Sequence, residues 1–245
     1  KRLHSAIAAI LEKRSGNEGG TSVFDIFDHY SEAGMDDKIL CYGLCAAALA
    51  MNDHAYRDAI SYYESVKAVL DGWDRGSFDE TMKSQWLECM RGLGISCSRA
   101  GDAQRSVELF EEVLPYLDDS QYKADLYKHL SRACFRLGDL EKSEEYVRTG
   151  LYLLGEKMPS SNRWMMLMTV KELLVHRLLE ILPISFFPLI KRTRVQRIGM
   201  IIGLYEWLNW VYFFSEGWKM ARTVLRMLNL CRMRLGKSHE FASTC

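Results

Sequence analysis

The feature that most restricts how this chain can fold is a repeat. Leu93-Gly94, Ala100-Gly101-Asp102, Ser106, Phe110 and Val113 recur as Leu130-Ser131, Leu137-Gly138-Asp139, Ser143, Val147 and Gly150, an offset of 37 residues from Leu93 to Leu130. Repeats of this length mean units that bury their apolar faces on their neighbours. In each copy an apolar-periodic stretch runs into Gly-Asp. Glycine takes the left-handed conformation that ends a helix, and aspartate caps the helix that follows. Two antiparallel helices joined at Gly101-Asp102, and two more at Gly138-Asp139, are therefore predicted, with Leu93, Phe110, Leu130 and Val147 in the core.

Looser copies flank this pair. An earlier one is carried by Ala46-Ala47, Ala59, Tyr63 and Val66, and a later one by Leu208-Asn209, Tyr212, Ala221, Leu225 and Leu228. Asp71-Gly72-Trp73-Asp74-Arg75-Gly76-Ser77 reads as the loop between the first two copies. Pro159-Ser160-Ser161-Asn162 opens a helix through about Leu182, which Pro183 and Pro188 then break. The stretch from Pro183 to Arg197, two prolines and then four cations among seven residues, is expected as an exposed break between helices rather than a transmembrane hairpin. Gly16-Asn17-Glu18-Gly19-Gly20 separates two short helices that read as a worn further unit. No window of alternating β-branched residues competes with helix, so the expected class is all-α. The expected organisation is degenerate N-terminal helices over 1–35, three hairpins over 36–158, and C-terminal hairpins over 159–245.

These units resemble tetratricopeptide repeats. Gly94, Tyr212, Ala59, Phe110 and Ala221 match that pattern, Ser106, Ser143 and Gly150 substitute other small residues, and the usual tryptophan and closing proline are missing. The resemblance covers about two thirds of the chain. It implies a right-handed superhelix, or solenoid, of antiparallel helical hairpins whose first helices line a concave groove. The C-terminal third, through His176-Arg177-Leu178-Leu179, Lys191-Arg192-Thr193-Arg194-Val195-Gln196-Arg197, Leu204-Tyr205-Glu206, Tyr212-Phe213 and Leu228-Asn229-Leu230, is similar to the helical-repeat region of large multidomain signalling ATPases. Those often carry a class III nucleotide cyclase or a protein kinase. The resemblance implies a regulatory platform, and a chain opening on Lys1 rather than Met reads as a fragment of something longer.

Composition narrows the function classes. Lys+Arg and Asp+Glu balance at 32 each, so no global field favours nucleic acid or an acidic membrane. Cys41, Cys45, Cys89, Cys97, Cys134, Cys231 and Cys245 are odd in number and mostly within helical patterns. They read as reduced thiols in a cytoplasmic protein. Cys41 and Cys45 lie one turn apart, but nothing completes a zinc set. No phosphate loop, nucleophile elbow or H-E-x-x-H is present, and the six histidines are scattered. An enzyme is not expected, nor a cofactor. Ile198 to Phe214 is apolar over 17 residues but interrupted by Glu206 and Asn209, and reads as a buried helix rather than a span.

If the first helix of each hairpin faces the groove, periodicity puts Glu88, Arg91, Ile95, Ser98 and Arg99 there from one helix, and Asp125, Lys128, Arg132, Phe135 and Arg136 from the next. Five of these ten are basic. Arg91, Arg99, Lys128, Arg132 and Arg136, with Phe135, are the candidate protein-binding residues, and an acidic peptide or an acidic face of another domain suits them. The competing reading is a solvated face with local ion pairs. In the last unit the equivalent positions are Glu206, Trp210, Phe213 and Phe214. Three aromatics there could floor a peptide site, but aromatics at helical spacing favour core packing. The expected function is thus a non-catalytic interaction or regulatory scaffold. The alternative is peripheral docking on anionic lipid through residues 191–197.

Overall fold

The computed structural model describes residues 1–18, 23–159, 161–181 and 192–234. Among them every regular element is helical, and no helix is long and apolar enough to cross a membrane. The chain divides into two compact units, Lys1–Pro115 and Tyr116–Cys245, a division that falls inside the 36–158 span.

The first unit holds α1 (Arg2–Glu18), α2 (Val23–Ala33), α3 (Asp36–Asn52), α4 (Tyr56–Asp71), α5 (Glu80–Ala100) and α6 (Ala103–Val113). Successive helices pack on one another, and α5 rests on both α3 and α4. The first turn of the predicted pair forms as expected. Gly101 adopts φ 102°, and the Asp102 carboxylate accepts from the Arg105 N–H at 3.1 Å. Leu93 and Phe110 are fully buried. The earlier copy holds as well, with Ala46, Ala47, Ala59, Tyr63 and Val66 all in the core. Glycine lets these helices approach closely. A Cβ built on Gly94 would stand 2.5 Å from Cε1 of Phe110, so the ring lies directly on the α5 backbone. Asp71 still belongs to α4, and the loop that follows it to Asp79 contains a 3₁₀ turn, Arg75–Ser77. Helix α1 runs through Gly16 to Glu18 instead of stopping at Gly16, because one glycine near a helix end costs only about 1 kcal/mol.

Glu12 ties α1 to its neighbours. Its carboxylate accepts from Lys38 Nζ and Tyr42 OH, each at 2.7 Å, and from the Tyr30 hydroxyl. The Lys38 hydrogen bond, then those of Tyr30 and Tyr42, lower its pKa from 4.5 to about 2. A carboxyl depressed on folding adds stability above its unfolded pKa, and that stability is lost as pH falls through the folded value. Glu12→Gln should therefore flatten the melting-temperature profile between pH 4.5 and about 2. At neutral pH it should cost about 1 kcal/mol, since water screens this partly exposed group. Parallel acid limbs for the two proteins would refute this.

The second unit holds α7 (Ser120–Arg136), α8 (Leu140–Leu153), α9 (Asn162–Ile181), α10 (Arg192–Phe214) and α11 (Gly217–Arg234). Its Gly-Asp turn matches the first: Gly138 has φ 82° and Asp139 accepts from the Lys142 N–H at 3.0 Å. Leu130 and Val147 are fully buried. Ser131 and Ser143 Oγ meet at 2.8 Å across the hairpin, small side chains at the close approach of α7 and α8.

Helix α9 begins at Asn162 as the sequence predicts, its expected end near Leu182 lies outside the described residues, and its neighbour is α11. The place against α7 and α8 is taken by α10, which buries Leu204, Tyr205, Leu208, Val211 and Tyr212 with Val147, Leu151 and Leu154. A polar network locks α10 to α8: Arg148 reaches Glu144 at 2.6 Å and donates to Tyr212 OH at 3.2 Å, while that hydroxyl donates to Glu144 at 3.0 Å.

One expectation needs correction here. The basic run from Arg192 to Arg197 is not a break but the first turns of α10, and Arg197 donates through Nε to the Leu154 carbonyl at 2.9 Å, satisfying the end of α8. Pro183 and Pro188 lie outside the described residues. In the last hairpin Leu208 and Tyr212 are buried, but Ala221 and Leu228 are exposed. Because α11 is covered by α9 as well as α10, it turns Thr223, Asn229 and Leu230 inward instead.

Candidate functional site

In the second unit the predicted groove residues meet a cavity. Lys128, His129 and Arg132 of α7 face Gly203, Glu206, Trp207 and Trp210 of α10 across a cavity of about 410 Å³. The α10 residues fall at helical spacing, so one stripe forms the wall. Gly203 leaves the space beside Lys128 open, since even a Cβ there would come no nearer than 3.9 Å to the Lys128 Cδ.

The cavity's charges are partly spent within the fold. Lys128 Nζ pairs with Asp125 at 2.7 Å, and His129 Nε2 is 3.6 Å from the same carboxylate. The Arg132 guanidinium lies 5.4 Å from the centre of the Trp207 ring, within cation–π range. Glu206 is exposed on the opposite wall. With Asp125 and Glu206 standing against Lys128 and Arg132, the site is close to neutral. Among the described residues, the lining holds no hydroxyl or thiol nucleophile.

Beyond Arg132 the wall becomes aromatic. Phe135 meets Trp207 edge-on at 5.4 Å and Phe214 at 5.6 Å; Phe213 is 5.1 Å from Phe214 and 6.4 Å from Trp210. Trp210, Phe213 and Phe214 are 51%, 63% and 59% exposed. This overturns the packing assignment for these three rings. Helix α10 has neighbours over its Leu204, Leu208 and Val211 stripe, and the aromatic stripe falls outside that contact. Leu137, also exposed, lies just past the end of α7.

Of the six candidate residues, Lys128 and Arg132 line the cavity, Phe135 begins the shelf, and Arg136 is exposed one turn beyond Arg132. Arg91 and Arg99 belong to α5 in the first unit, half-buried and exposed respectively. Sequence reasoning missed His129, Gly203 and Trp207. The spacing Gly203, Glu206, Trp207, Trp210 on one helix face was the available signal.

A larger open cavity of about 680 Å³ runs along α8 past Glu141, Glu144, Glu145, Arg148, Tyr152 and Met158. Its central charges, Glu144 and Arg148, are engaged with each other and with Tyr212, which makes them a brace between helices. No family model matches this chain, and no curated protein does.

Proposed function

We propose that this chain is a non-catalytic protein-interaction module, a right-handed tetratricopeptide-like superhelix of antiparallel hairpins within a larger cytoplasmic signalling protein. The packing of α5 on both α3 and α4, and of α10 on both α7 and α8, supports this repeat reading. The observation that carries the function is the shelf of Phe135, Trp210, Phe213 and Phe214 continuous with the cavity at Arg132. Exposed aromatic clusters of this kind mark protein contact sites, where a few rings supply most of the affinity. The partner is a peptide, or a segment of another domain, that lays large apolar side chains on the shelf and directs a carboxylate towards the cations Lys128 and Arg132 of the adjoining cavity.

Because the cavity is near neutral, apolar contact dominates affinity and charge sets orientation. Peptides selected for binding to the full chain should lose on the order of tenfold or more in affinity to Phe213→Ala/Phe214→Ala. Lys128→Glu/Arg132→Glu should weaken those carrying a carboxylate more than their amide analogues. Selected peptides that bind both folded variants as tightly as the parent would remove this site from the account.

A further inference from the structure

Helix α9 has two apolar faces. Met165, Glu172 and Leu179 recur every seven residues and are buried, on the side that α11 covers. Leu167, Val170, Leu174, Leu178 and Ile181 recur at steps of three and four and form the opposite stripe, between 55% and 80% exposed. Trp164 stands 57% exposed in the first turn. Helices that only cap a core turn polar residues to this side. Here the outward face is apolar along nearly the full helix, about 30 Å at 1.5 Å per residue.

The charges around this stripe select its occupant. Arg163, Lys171 and Arg177 are exposed along it, and the exposed carboxylate of α9, Glu180, is held by Arg177 at 3.0 Å. A second copy would bring like charges together across the contact. An anionic surface would neutralise them, while their long stems reach past the buried apolar groups to the surface. The stripe stands exposed along the helix, and a fluid surface needs no matching pocket to cover it. We propose that α9 lies in the headgroup plane of an anionic lipid surface, its apolar stripe immersed and Arg163, Lys171 and Arg177 among the phosphates. This moves lipid docking away from the basic run at 191–197, where Arg197 is committed to Leu154.

Co-sedimentation of the full chain with vesicles of phosphatidylcholine, alone or mixed with phosphatidylserine, tests the assignment. Partitioning should be on the order of tenfold higher on the mixed vesicles and fall with added salt. Leu174→Glu/Leu178→Glu alters only exposed positions and should fold normally yet lose at least about tenfold in partitioning. Arg163→Gln/Lys171→Gln should keep weak partitioning but lose the preference for phosphatidylserine. The proposal is overturned if the parent does not partition, or if Leu174→Glu/Leu178→Glu partitions equally well. A solution dimer that this same variant dissociates would also overturn it, giving the face to a second copy.

Discussion

Phe110→Ala should lower the stability of the first unit by about 3 to 5 kcal/mol, the range for deleting a large ring from a core that cannot collapse. Phe110 is fully buried, in the last turn of α6, with its ring against the bare backbone of α5 at Gly94. Two helix backbones bound the hole, and neither moves inward without disturbing the Gly101-Asp102 turn. The close approach also predicts non-additivity. Gly94→Ala alone should destabilise, because its Cβ would stand 2.5 Å from the ring. In the Phe110→Ala background it should cost less or even stabilise, because the methyl enters the vacated space. Chemical denaturation of the four proteins in this cycle decides the matter. A loss below about 1 kcal/mol for Phe110→Ala would mean that the ring is not a core element.

The second large effect is expected at Arg226. Its Nη2 meets Glu156 at 2.7 Å, and Nη1 lies 3.7 Å from Glu172, whose side chain is almost wholly buried between α9 and α11. Asn229 completes this layer, donating to both the Glu172 carbonyl and its carboxylate at 2.9 Å and meeting His176 Nδ1 at 3.0 Å. Arg226→Met keeps most of the stem volume but leaves two carboxylates without their shared cation. Removing one partner of a buried ion pair costs about 3 to 5 kcal/mol, because the charge left behind stays desolvated. Adding Glu172→Gln should recover part of that loss, since a neutral amide needs no counter-charge and can still accept from Asn229. If the double variant is no more stable than Arg226→Met, Glu172 is not the group that Arg226 compensates. The same layer anchors α9, so both predictions at α9 can be read only in variants whose melting behaviour is intact.

The sequence by itself determined the local grammar. Gly101-Asp102 and Gly138-Asp139 mark the turns because a left-handed glycine and a capping carboxylate act within three residues of themselves. The spacing of Leu93, Phe110, Leu130 and Val147 identifies the buried stripes because one helix face must be covered whatever covers it. Lys128, Arg132 and Phe135 were legible for the same reason, as one stripe on one helix. Tertiary structure alone decided which helix sits beside which. Helix α9 is apolar on the Met165 and Leu179 side and again on the Leu167 and Leu174 side, so periodicity could not choose its buried face. Placing α10 against α7 and α8 left Trp210, Phe213 and Phe214 exposed and brought Trp207 under Arg132, where sequence spacing had suggested core. Covering α11 from two sides then turned Ala221 and Leu228 outward. Helix ends follow from hydrogen bonds and dihedral preferences a few residues long. Neighbours are chosen by apolar contacts between segments far apart in sequence, and stripes of similar size and hydrophobicity carry no address.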